Sequence, residues 1–153
     1  MVSPILLTSP KGQKFFWNID ANVGAISPNR TEDVQLVQLG YSIMANSATL
    51  SADLKAIFAK VQVGVQCTGK DDDPLVKAIR AHQAGRGGTQ DGHVSVIKTT
   101  NGTYFDSSGG HTFMLTAIIN NIFDAMPADF PRIDKHPSCP PALKAAVVAS
   151  LAH

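Results

Sequence analysis

The sequence predicts a mainly helical α+β fold: a small bundle of four to five helices with an N-terminal β-hairpin and a second hairpin near residues 93–105. Three observations predict it. Leu54, Ile57, Phe58 and Val61 fall at i, i+3, i+4 and i+7, the apolar spacing of one helix face. Asp71-Asp72-Asp73-Pro74 places negative charge and a proline where a helix starts. Asn101-Gly102, between the β-rich runs 93–99 and 103–105, is the strongest short-range sign of a type I′ hairpin.

Taken in order, Ile5-Leu6-Leu7-Thr8 and Lys14-Phe15-Phe16-Trp17-Asn18-Ile19 flank a Pro10-Lys11-Gly12 turn, which predicts the first hairpin. Residues 21–28 read as loop. Asn29 with Glu32 three positions on resembles a capping box, so a first helix is expected to begin there. Its apolar stripe is Val34, Val37, Tyr41 and Met44, widened by Leu36 and Ile43, and Gly40 permits close approach of a neighbour. A second helix follows Ser51. A third runs from Pro74 with Leu75, Ala78, Ile79 and His82 on its inner side and ends at Gly85. A fourth is expected over 111–126, faced by Leu115, Ile118, Ile119, Ile122 and Met126. A proline-rich crossover then leads to a short last helix with Leu143, Ala146, Val147 and Leu151. The 153 residues are expected to form a single domain, which at this size buries about 68–70% of the unfolded chain's surface. Within it, 1–28 is hairpin and loop, 29–97 the helical core, and 98–153 the hairpin return with the C-terminal helices.

With 13 basic and 12 acidic residues the chain has no electrostatic footprint for nucleic acid or an anionic membrane. Charged residues make up 16%, against about 25% in typical domains, a thin charge that suits an exported or assembled protein. The N-terminal residues lack a basic leader and a long apolar stretch, and no run reaches membrane-span length. The expectation is therefore no membrane insertion and, if the chain leaves the cytoplasm, a signal-independent route. Cys67 and Cys139 leave two alternatives, a disulfide or two buried thiols, and their surroundings carry no zinc pattern.

Two helix-plus-glutamine segments carry a family resemblance: Val34-Gln35-Leu36-Val37-Gln38 and Ala78-Ile79-Arg80-Ala81-His82-Gln83. Lys70-Asp71-Asp72 precedes the second and Asp91-Gly92-His93-Val94 trails it. Over about residues 29–97 this order resembles the small three-helix peptidoglycan-binding domains attached to cell-wall enzymes and phage proteins. Those domains carry a valine-x-x-leucine-glutamine helix, a glycine and aspartate turn, and an alanine-valine-x-x-phenylalanine-glutamine helix; His82 stands at the phenylalanine position. The resemblance implies a non-catalytic module that targets or anchors to the bacterial cell wall, as a component or cargo of a phage particle or contractile secretion machine, with peptidoglycan or its fragments as partner and no cofactor.

A polar ligand of that kind needs hydrogen-bonding side chains and an aromatic ring around a groove. The groove is expected between the first and third helices, with Asn29, Arg30, Gln38, Tyr41, Arg80, Gln83, Arg86 and Asp91 as ligand-binding candidates. No catalytic or metal-binding residue is assigned. His82, His93, His111 and Asp91 lack the spacing of a metal site, and the pairs Cys67–His82 and Cys139–His136 lack a helix N-terminus aimed at the sulfur. Two other readings stand beside the wall-binding one. An adaptor would use the apolar C-terminal helices as a protein interface, and a small wall hydrolase or toxin would act through the histidines or Cys67.

Overall fold

A computed structural model describes residues 1–9, 12–98 and 113–152. Two strands, β1 (Ser3–Ser9) and β2 (Gly12–Asn18), pair antiparallel with Ile5 opposite Phe16 and Leu7 opposite Lys14. Phe16 and Trp17 are adjacent in sequence and both fully buried, so β2 is covered on both faces at this end, while Leu6 of β1 stays exposed. Phe15 and Trp17, two apart and hence on one face, meet edge-to-face at 5.2 Å, and Phe15 meets Phe130 in the same way at 5.9 Å. The Trp17 indole N–H donates to the Pro131 carbonyl at 2.9 Å, fixing the C-terminal crossover against the hairpin.

Two further two-residue strands, β3 (Val23–Gly24) and β4 (His93–Val94), pair antiparallel, Val23 with Val94 and Gly24 with His93. β3 falls in the expected loop 21–28, where no β-rich run announces a strand. The first residues of the expected 93–105 hairpin are strand, with Val23–Gly24 as the partner seen; Asn101-Gly102 and the returning arm lie outside the described residues. Gly24 is obligatory: its φ is +114°, and a Cβ there would lie 2.3 Å from the Gly92 carbonyl oxygen.

Five helices complete the described fold: α1 (Thr31–Met44), α2 (Ala52–Ala59), α3 (Pro74–Gly85), α4 (Met114–Ala125) and α5 (Pro141–Leu151). A 3-10 turn, Ile133–Lys135, precedes α5. The start signals for α2 and α3 act as expected. Ser51 Oγ accepts the Leu54 N–H, and Asp73 Oδ1 accepts the Leu75 N–H at 2.8 Å just before Pro74. The start of α1 differs. Its N-cap is Arg30, in extended conformation without a side-chain cap. Asn29 instead sits at φ +51°, a left-handed setting that asparagine tolerates. Its carboxamide brackets Gly24, accepting that residue's N–H at 2.7 Å and donating to its carbonyl at 3.0 Å.

Every residue of α1 from Asp33 to Tyr41 is buried, so this helix is enclosed on all sides rather than along one stripe. α4 makes its most extensive helix contact, and α2, α5 and β3 also touch it. The expected side-by-side packing of α1 and α3 is not how the core is built. Val34, Val37, Leu75 and Ile79 are all buried in one apolar cluster, but α3 lies chiefly against α2 and the β3–β4 ladder. The C-terminal third is no appendage either: Leu115, Ile118 and Ile122 of α4 and Leu143 and Val147 of α5 are fully buried. No helix among the described residues is long and apolar enough to cross a membrane.

Gly40 sets the α1–α4 distance, since a Cβ there would lie 2.2 Å from Ile118 Cγ2. That atom hangs on a stiff β-branched carbon of a fully buried residue. Alanine's helix propensity favours it over glycine by about 1 kcal/mol, but overpacking costs about 1–3 kcal/mol. Gly40→Ala is therefore expected to lower stability in denaturant titrations followed by Trp17 emission. Adding Ile118→Leu, which moves the branch away from Cβ, is expected to recover part of the loss.

Candidate functional site

The sequence-predicted residues divide into those that hold the fold together and those at the surface. Gln38 is 3% exposed, and its carboxamide donates to the Val65 carbonyl at 2.7 Å and accepts the Gly64 N–H at 3.0 Å. Gln83 is 6% exposed and does the same on α3: Nε2 donates to Asp91 Oδ1 at 2.7 Å and to the His93 carbonyl, while Oε1 accepts the Gly92 N–H at 2.9 Å. Both glutamines thus replace missing backbone partners in a loop. Asp91 is spent in this network, facing Gln83 and, at 3.5 Å, His93 Nε2.

Tyr41 is buried and cannot offer its ring to a sugar. Its hydroxyl meets His82 Nδ1 at 3.0 Å, and the two rings stand edge-to-face, with Phe58 completing an aromatic trio. Burial pushes the Tyr41 phenol well above its ordinary range, so it stays protonated, and the His82 tautomer decides which of the two groups donates. Burial, with the nearby Arg86 charge as a lesser cause, lowers His82 to about 4. His82 therefore works as a packed ring with one polar handle.

The three arginines are more open. Arg30 lies 3.7 Å from Asp20, and Arg80 pairs with Asp71 at 3.0 Å, while Arg86 is the exposed C-cap of α3. A Cβ on Gly92 would lie 2.6 Å from Arg80 Nε, so the 91–92 turn rests on the arginine stem. Arg80, Gln83, Asp91 and, through Gly24, Asn29 thus gather around the β3–β4 ladder. Gln38 and Tyr41 belong to a separate neighbourhood, and the eight residues do not converge on one groove.

A cleft of about 300 Å³ does lie beside α1, but the loop around residues 64–67 closes it rather than α3. Asn29, Thr31, Val34, Gln35, Gln66 and Cys67 are among its lining residues. Gln35 is 8% exposed; its Oε1 accepts the Leu143 N–H at 3.1 Å, one of the free amides at the start of α5. Its Nε2 has no protein acceptor among the described residues, which leaves one unpaired donor on a residue that lines the cleft. Thr31, Gln35 and Gln66 were missing from the sequence-based set. The signal available was Gln35 itself, three residues before Gln38 on the same helix face.

Neither cysteine–histidine pair forms. Both thiols are free and buried, and burial raises their pKa, Cys139 to about 11. His82 is turned to Tyr41, and His136 Nδ1 accepts the Ser138 N–H at 3.0 Å. Among the described residues no three His, Cys, Asp or Glu side chains converge as metal ligands would; His111 lies outside those residues. Comparison with protein-family models, with curated proteins and with solved structures gives no match.

Two measurements probe this network. Gln83→Glu removes two donated hydrogen bonds and sets a carboxylate beside Asp91, so a loss of at least about 1–3 kcal/mol is expected in denaturant titration. His82 gives a pH signature. The unfolded chain protonates this ring near pH 6.5, the folded one only near about 4. The unfolded state therefore binds more protons between these values, and the His82 contribution is full above pH 6.5 and lost as pH falls toward 4. The stability difference between the parent and His82→Gln is expected to follow that window; a difference flat from pH 7 to about 4 would contradict it.

Proposed function

We propose that this chain is a non-catalytic, peptidoglycan-binding-like module that attaches to the bacterial cell wall, binding a glycan or stem-peptide fragment in the cleft beside the N-terminal half of α1. The observation that carries the reading is Gln35, a buried carboxamide with its oxygen fixed on the Leu143 N–H and its nitrogen unpaired at the cleft. An anchored amide donor between exposed Thr31 and Gln66 suits the carbonyl and hydroxyl oxygens of N-acetylated sugars and peptides, with Val34 and Val65 as apolar wall. Cys67 at the same cleft is held as a thiol by burial, which favours recognition over nucleophilic attack there. The proposed role is targeting or anchoring, as a component or cargo of an assembly that delivers the chain to the envelope.

The adaptor reading drew on apolar surface in the C-terminal helices, and the core takes up most of it. Val148, 49% exposed, is the large apolar residue that α5 leaves outside. In a pull-down on purified murein sacculi, the parent chain is expected to be retained above an unrelated protein of similar charge. Thr31→Trp, which fills the cleft from an exposed position, is expected to weaken retention about tenfold with unchanged Trp17 burial. No retention of the parent, or equal retention of the blocked variant, would reject the assignment.

A further inference from the structure

The other end of α1 opens on a second cleft, of about 430 Å³, lined in part by Ile43, Met44, Asn46, Asn121, Asp124 and His136. Both α1 and α4 end here, and each helix carboxyl end carries a partial negative charge of about one half. Neither helix has a basic residue in its last turn, where Lys, Arg or His commonly compensates that charge. No lysine or arginine is among the described residues that line the cleft.

Its polar side chains are biased toward accepting hydrogen bonds. Asn121 Nδ2 donates to the Ala117 carbonyl at 2.9 Å, and Asn46 Nδ2 donates to the Ser42 carbonyl at 3.4 Å. A carbonyl can only accept, so those contacts fix the nitrogens on the helices and leave both Oδ1 atoms without a protein donor among the described residues. The Asp124 carboxylate is exposed and has neither a hydrogen bond nor an ion pair among those residues. Desolvation lowers the His136 pKa, which disfavours its cationic form. Three acceptor groups and two helix carboxyl ends thus share one cleft with no cation.

We propose that this cleft binds a small organic cation, a primary ammonium or guanidinium group on a short alkyl chain. Its N–H donors are shared by Asp124 and the carboxamide oxygens of Asn46 and Asn121, and its alkyl part lies on Ile43 and Met44. An anion would instead meet the Asp124 carboxylate and two helix carboxyl ends. The site is separate from the α1 cleft assigned to the wall ligand and does not depend on that assignment.

The test is an NMR titration of the whole chain with n-butylammonium and methylguanidinium, set against the neutral n-butanol and methylurea. Saturable shifts of the Asn46 and Asn121 side-chain amides are expected with the cations at concentrations at least about tenfold below those needed with the neutral molecules. Asp124→Asn is expected to weaken cation binding about tenfold, and Ala125→Lys, which supplies an ammonium from the cleft wall itself, to weaken it similarly. Both substituted positions are exposed, and Trp17 emission reports that the fold is retained. Equal response to neutral and cationic probes, undiminished affinity in Asp124→Asn, or no saturation up to about 100 mM would overturn the proposal. Because sacculus retention is read on a different cleft, either assignment can fail while the other stands.

Discussion

The structure depends on a helix that is buried all round yet is not apolar all round. α1 is enclosed by α2, α4, α5 and β3, so Asp33, Gln35 and Gln38 lie in the interior beside Val34, Leu36, Val37 and Leu39. An unpaired polar group in that position costs about 1–3 kcal/mol, so each must find a partner that no helix ladder supplies. Each finds one in a distant loop or helix end. Asp33, fully buried, accepts the N–H groups of Asp20 and Ala21. Gln35 accepts the first free amide it reaches on α5, and Gln38 closes on residues 64–65. Burial raises the Asp33 carboxyl above its ordinary range, and the Ala21 N–H offsets only part of that shift. The central helix is therefore also the frame to which the connecting segments are tied.

The same device recurs where strands are short. β3 and β4 pair over two residues each, too little for independent stability. Asn18 extends the association by accepting the Ile97 N–H at 2.9 Å and donating to the Ile97 carbonyl, and Asn22 accepts the Val96 N–H. Asn29 closes the turn after β3 and Gln83 the turn before β4. A carboxamide holds a carbonyl acceptor and an N–H donor in one plane, as a peptide group does, which is why asparagine and glutamine can stand in for a missing strand. The thin charge of the sequence fits this economy: amides, which need no counter-ion, carry the interior polar work.

Legibility in the sequence followed the range of the interaction. Ser51 and Asp73 cap α2 and α3 through contacts two or three residues away, and the hairpin register of β1 and β2 is equally local. Those elements could be read directly. Asn29 had the residue type and spacing of a cap, but its carboxamide is claimed by Gly24 five residues back, so the local signal was overridden. β3 was illegible because Val23 and Gly24 become strand only through Val94 and His93, about seventy residues away in the chain. His82 looked like a possible base or ligand until Tyr41, 41 residues distant, took its nitrogen.

The candidate site was hardest to read for a related reason. Residue type and helical position identify which side chains are polar, and in this fold polar side chains are above all clamps. Gln38, Gln83 and Asp91 qualify as ligand contacts in sequence because they are polar and border the expected groove, yet each is spent on a neighbouring loop whose backbone lacks partners. Ligand recognition requires the opposite condition, a polar atom positioned by the fold but left unpaired. Gln35 meets it with one atom bound and one free, as do Asn46 and Asn121, whose nitrogens are held by their own helices. The two clefts at the ends of α1 differ in the sign of what is left over. At the first the remainder is a donor, which calls for the oxygen atoms of a neutral polar ligand; at the second it is a set of acceptors around two helix carboxyl ends, which calls for a cation. The helix that organises the core thus separates two complementary surfaces, and between them Asp33, Gln38 and Tyr41 are spent on partners within the fold.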